Sequence, residues 1–172
     1  MIIEIINYIV RFLLIILIQL LVVDNIELST YVNPYIYILF ILTLPISTKP
    51  WVVVVLSFIT GLVMDTFSST PGLHMAATIF IGYIRNFYLM FACSKEDFDN
   101  GIEPTVSKKG IVWFLVYAVI MTLMHHLFLF YLEIYSFRDF FRTLFRVLSS
   151  SLFSVLIISI GQLLFYRKSK VR

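Results

Sequence analysis

The apolar residues of this chain come in runs of up to about twenty, long enough for a helix to cross the hydrocarbon of a bilayer, with short polar breaks between them. Lipid offers backbone groups no hydrogen-bond partner, so runs of this kind fold as helices that satisfy their own amides and carbonyls. They lack the alternation of a barrel strand. Of the 172 residues 60% are hydrophobic and 13% charged, and the mean hydropathy of +0.97 leaves too little polar surface for a water-soluble domain. The expected fold class is all-α, an integral membrane bundle forming a single transmembrane domain over residues 1–172.

Six segments are expected to span: 5–23, 34–46, 51–67, 73–92, 111–132 and 144–165. The first is too long for a cleaved signal, follows Glu4 instead of a basic cluster, and lacks a small-residue cleavage site, so it reads as a retained helix. The second is the shortest, closed by Pro45 and Pro50 on either side of Lys49. Without it the topology changes parity. Lys and Arg in short loops stay on the cytoplasmic side. With the N-terminus inside, Arg11, Lys49, Arg85, Lys95, Lys108, Lys109, Arg167, Lys168, Lys170 and Arg172 are cytoplasmic, against Arg138, Arg142 and Arg146 outside. That bias puts both termini in the cytoplasm, which takes six crossings.

The polar segment 94–110 mixes Lys95, Lys108 and Lys109 with Glu96, Asp97, Asp99 and Glu103, and falls on the cytoplasmic side as a flexible connection or a docking surface. Its balanced charge argues against a nucleic-acid partner, which needs a dominant basic patch. The basic tail 167–172 suits the orientation bias and anionic headgroups, or a partner. Outside, 136–146 spaces Arg138, Arg142 and Arg146 four apart among Phe137, Phe140, Phe141 and Phe145. The spacing predicts an extracytoplasmic interfacial helix, or a basic aromatic face for a partner. Cys93 is the single cysteine, which excludes an internal disulfide and disfavours a zinc site. No cofactor or metal is expected.

Ionisable groups inside such a bundle are costly unless they face protein or water. Asp65 lies 14 residues beyond Trp51 and His125 lies 14 beyond Ile111, so both sit about 21 Å from the cytoplasmic end, with His126 next in line. A carboxylate and an imidazole at one depth could pair, and neighbouring His125 and His126 cannot both point at Asp65. The cluster reads as helix fastening, as a partner contact, or as minimal proton-handling hardware. Pro71-Gly72 allows a chain reversal, with Ser68, Ser69 and Thr70 free to bond the exposed carbonyls and the first amides of the next helix, whose first turn holds His74. The same place is a tight turn or a recognition site. No Ser-x-x-Lys, paired intramembrane aspartates or His-Glu-x-x-His occurs, so no enzyme is expected. Ser149, Ser150 and Ser151 read as small residues that let a neighbouring helix approach.

Gly61-x-x-x-Asp65 followed by Pro71-Gly72-Leu73-His74, between the third and fourth spans of a small basic protein, resembles the MreD family of bacterial rod shape-determining membrane proteins. The motif covers residues 61–74, and the spacing of spans extends the likeness loosely along the chain. The resemblance implies a non-enzymatic component of the cell-elongation machinery in the bacterial cytoplasmic membrane. Its partners would be MreC directly, with MreB, RodA and an elongation transpeptidase through the complex that couples the filament to peptidoglycan synthesis. It also implies a fold similar to the substrate-binding components of energy-coupling-factor transporters, and it singles out Gly61, Asp65, Pro71, Gly72 and His74. The segment 94–110 and the aromatic fifth span depart from the family pattern. The alternative is the substrate-binding component of a vitamin or other small-molecule transporter. Such a component docks its energising module through small residues on its first helix, and 5–23 has no Gly, Ala or Ser.

Overall fold

The computed structural model describes residues 2–26, 32–134 and 139–164. The apolar runs form helices: α1 (Ile2–Leu21, extended by a 3-10 turn at Val23–Asn25), α2 (Ile38–Leu42), α3 (Pro50–Ser68), α4 (Leu73–Ala92), α5 (Lys95–Asp99), α6 (Val106–Lys109), α7 (Ile111–Ile134) and α8 (Phe140–Leu164). No strand occurs among the described residues. Five of the helices are long and apolar enough to cross a membrane, which makes this an all-helical, multi-pass membrane bundle.

Local chemistry sets the helix ends. Pro50 opens α3 at a position where its missing amide costs nothing, and Ser69 closes it in the left-handed region at φ 54°. α3 and α4 form the tightest pair because Gly61 lets the α4 backbone close in. A Cβ there would collide with Met75 Cα and Thr78 Oγ1. α7 packs on α4, with Phe80 stacked on Phe128 at 4.4 Å, and α8 packs on α7. α1 is the most loosely held, burying only Ile15, Ile16 and Gln19.

The segment expected as the second span departs from that expectation. Only Ile38–Leu42 is helical, about 7.5 Å of rise against a hydrocarbon thickness of about 30 Å. Instead of taking a place beside the other helices, 32–46 fills the middle of the bundle. Tyr37, Ile38, Ile41 and Leu42 are fully enclosed, in one apolar cluster with Met64, Ile81, Phe114, Met121 and Ile158. It starts toward the α7–α8 end, where Asn33 N–H donates to Ser150 Oγ (2.9 Å). It finishes at the opposite end, where Ile46 N–H donates to the Ile102 carbonyl between α5 and α6 (2.9 Å). Irregular backbone is tolerated at membrane depth when protein groups bond it, and the proline-bounded sequence is too short for one helix to span.

The charged segment 94–110, one reading of which was a flexible connection, folds into two short helices laid against the bundle. Ser94 and Asp97 form a capping box at the start of α5, and Lys109 Nζ reaches Asp97 at 2.7 Å. The interfacial helix expected at 136–146 is not a separate element: Phe140 begins α8, and residues 135–138, with Phe137 and Arg138, lie outside the described residues. Arg146 turns inward, bonding Asn33 Oδ1 (3.0 Å) and Glu133 (2.9 Å) and lying 4.0 Å over the Phe130 ring. The basic tail 167–172 also lies outside the described residues.

Candidate functional site

The motif residues meet at the turn between α3 and α4. Gly72 holds the N-cap position of α4 at φ 82°, a conformation that suits glycine, and glycine carries no side-chain oxygen to cap the helix. Asp65 supplies what Gly72 lacks. Its Oδ1 accepts from His74 N–H (3.0 Å) and Thr70 Oγ1 (2.6 Å), and its Oδ2 accepts from Met75 N–H (2.9 Å). A carboxylate at a helix N-terminus also meets the positive end of the helix dipole, which accounts for a buried carboxyl with no cation beside it among the described residues. The Asp65 carbonyl closes the other side of the turn, accepting from Thr70 N–H (3.1 Å) and Ser69 N–H. The expectation that the Ser68–Thr70 side chains bond the first amides of α4 is corrected: Asp65 caps them.

His74 points into the bundle, where Tyr37 Oη lies 2.8 Å from its Nδ1 and 2.9 Å from His125 Nε2. The expected pairing of Asp65 with His125 is therefore corrected. Asp65 bonds the His74 amide, and Tyr37 stands between His74 and His125 and takes up His125. The reason is the intruding segment 32–46, which delivers a phenol to the position where the carboxylate and imidazole were to meet.

One hydroxyl proton cannot serve both histidines, so the network assigns tautomers. Among the described residues His125 Nδ1 has no partner, and an orphaned acceptor is cheaper than an orphaned donor. His125 Nε2–H then donates to Tyr37, and Tyr37 O–H donates to His74 Nδ1. His126 points elsewhere, as its helical position requires: its Nδ1 donates to the Thr122 carbonyl (2.8 Å) and its Nε2 accepts from Ser154 Oγ (3.3 Å). Ser154 Oγ in turn accepts Tyr35 N–H at 2.8 Å. The three imidazoles surround Tyr35 edge-on or tilted, with centroids 5.0–6.3 Å away. These polar groups are committed to holding a chain segment in place.

Several residues share that work without having stood out in the sequence. Gln19, fully buried on α1, donates to the Pro34 carbonyl (3.1 Å) and to Asp24 (2.6 Å), and its Oε1 accepts from Ile36 N–H (2.7 Å) and Tyr37 N–H (3.3 Å). Tyr117 Oη donates to the Leu42 carbonyl (3.1 Å) and Arg85 Nη2 to the Leu44 carbonyl. Arg85 had been counted among the cytoplasmic charges; it is fully enclosed, seven residues inside the end of α4. Both Arg85 and Gln19 are polar residues within apolar runs, the signal that could have found them.

Among the described residues no group of three or more His, Cys, Asp and Glu is arranged to hold a metal ion. Compared with known protein families, characterised proteins and solved structures, the chain has no match.

Proposed function

We propose that this protein is a non-enzymatic scaffold of the bacterial cell-elongation machinery, a membrane platform that binds the transmembrane helix of MreC. Through that contact it holds peptidoglycan-synthesising proteins, RodA and its transpeptidase, in register with the MreB filament. The reading rests on the resemblance of residues 61–74 to the MreD motif. One structural observation supports it: the middle of the bundle is occupied by the chain's own segment 32–46, which the buried side chains of Gln19, Tyr117 and His125 bond in place. A rigid filled interior suits a platform. It disfavours the transporter alternative, which needs the same space for a substrate.

In this reading the segment 32–46 makes one broken crossing, giving six passes, a bundle similar to the energy-coupling-factor substrate-binding components, and both termini in the cytoplasm. Gly61, Asp65, Pro71, Gly72 and His74 set the α3–α4 turn and through it the shape presented to partners. The test is recovery of MreC with the tagged protein from detergent-solubilised membranes. Enrichment over an unrelated six-helix protein is expected, and equal recovery from both would remove the proposal.

A further inference from the structure

A lateral groove runs between α1 and α3, floored by Leu44 of the intruding segment. Ile5 and Phe12 bound it on α1 and Val52 and Ile59 on α3, so it extends about 10 Å along each helix. Apart from Tyr8 and Thr48 its lining side chains are apolar, a surface that suits a hydrocarbon chain.

Its polar groups lie toward one end. Tyr8 and Thr48 line it there, Lys49 follows Thr48 as an exposed cation just before α3, and Arg11 lies one turn above Tyr8, shared with Glu103 at 3.0 Å. This is the end of the bundle where α5 and α6 lie. We infer that the groove is a binding site for a single anionic phospholipid, one acyl chain lying between α1 and α3 and the phosphate meeting Lys49 and the Thr48 hydroxyl. The loose packing of α1 follows: the wall it shares with α3 is completed by lipid and not by protein. A chain merely filling surface roughness would exchange without regard to head group, whereas a cation at the mouth selects for phosphate with net negative charge.

The experiment is native mass spectrometry of the purified full chain titrated with phosphatidylglycerol and, separately, phosphatidylcholine. Wild type is expected to retain one phosphatidylglycerol at least threefold more tightly than phosphatidylcholine. Leu56→Trp, which fills the groove, should weaken retention of both at least tenfold, and Ile9→Phe on the opposite wall repeats the test should Leu56→Trp fail to fold. Lys49→Gln should abolish the preference between the lipids while leaving phosphatidylcholine retention unchanged. Val116→Trp, on the exposed face of α7, should change nothing. Retention untouched by both groove-filling variants, or lost equally in Val116→Trp, would overturn the site. A preference surviving in Lys49→Gln would overturn its head-group assignment.

Discussion

Asp65 and Gln19 do the same physical work, each satisfying backbone groups inside the bundle, and the size of their loss should follow the number of groups each leaves stranded. Asp65→Asn keeps the shape but removes the charge at the α4 N-terminus and turns one acceptor into a donor that faces an amide. Losing one charge-assisted bond and part of the dipole interaction, it should cost about 2 kcal/mol. Gln19→Leu strands the Pro34 carbonyl and the amides of Ile36 and Tyr37 together, and should cost about 3 kcal/mol. Denaturant-induced unfolding in mixed micelles reads both. Losses below about 1 kcal/mol for either variant would mean that water reaches these groups. The sequence singles out Asp65 because a lone carboxylate in an apolar run is conspicuous, and passes over Gln19 because a neutral amide raises no charge alarm. Its task depends on a segment more than a dozen residues away.

At the scale of elements, the helix pairs obey their local chemistry. A methyl at Gly61 meets the α4 backbone, which cannot rotate away, so Gly61→Ala should push α3 and α4 apart at about 2–3 kcal/mol. At Gly82 the nearest obstacle is the Ser57 hydroxyl, which can turn at the loss of its bond to the Val53 carbonyl, with Ser57 Cβ at a tight 3.0 Å, and alanine favours the helix by about 1 kcal/mol. Gly82→Ala should lie within about 1 kcal/mol of wild type in the same unfolding measurement, and a reversed order would show that the close approach lies elsewhere. The α5–α6 region is held differently. The Lys109 ammonium, with the Ser94 amide and hydroxyl, holds the Asp97 carboxyl below the usual carboxylate range. A depressed carboxylate contributes stability above its ordinary pKa of about 4 and loses it as pH falls through the lowered value. Protection of the α5 amides from hydrogen exchange should therefore be flat from neutral pH to about 5, after correction for intrinsic rates, and fall below about 4. Asp97→Asn should be unprotected relative to wild type at neutral pH, with no acid transition remaining.

The whole molecule was legible in the sequence as far as apolar runs dictate it. Residues 51–67, 73–92, 111–132 and 144–165 become long helices because each can close its own backbone bonds in lipid. The path of 32–46 was not legible, because it depends on polar side chains, donors and acceptors, scattered over four other helices: Gln19, Arg85, Tyr117, and the Ser150–Ser154 pair. Periodicity along one segment carries no trace of them. That path decides the topology. If 32–46 joins one end of the bundle to the other, Asn25 and Ser69 lie on one side of the membrane while Ser47 and Cys93 lie on the other. The single native thiol makes this measurable. Cys93 reports its own face, and Asn25→Cys, Ser47→Cys and Ser69→Cys can each be placed in a Cys93→Ser background at exposed positions. Burial pushes the Cys93 thiol up, so labelling is run at alkaline pH to supply thiolate. An impermeant maleimide added outside sealed cells should modify positions 25 and 69 and reach 47 and 93 only after permeabilisation. Modification of Ser47→Cys from the same side as Asn25→Cys would make 32–46 a re-entrant loop, leave five crossings, and put the two ends of the chain on opposite faces.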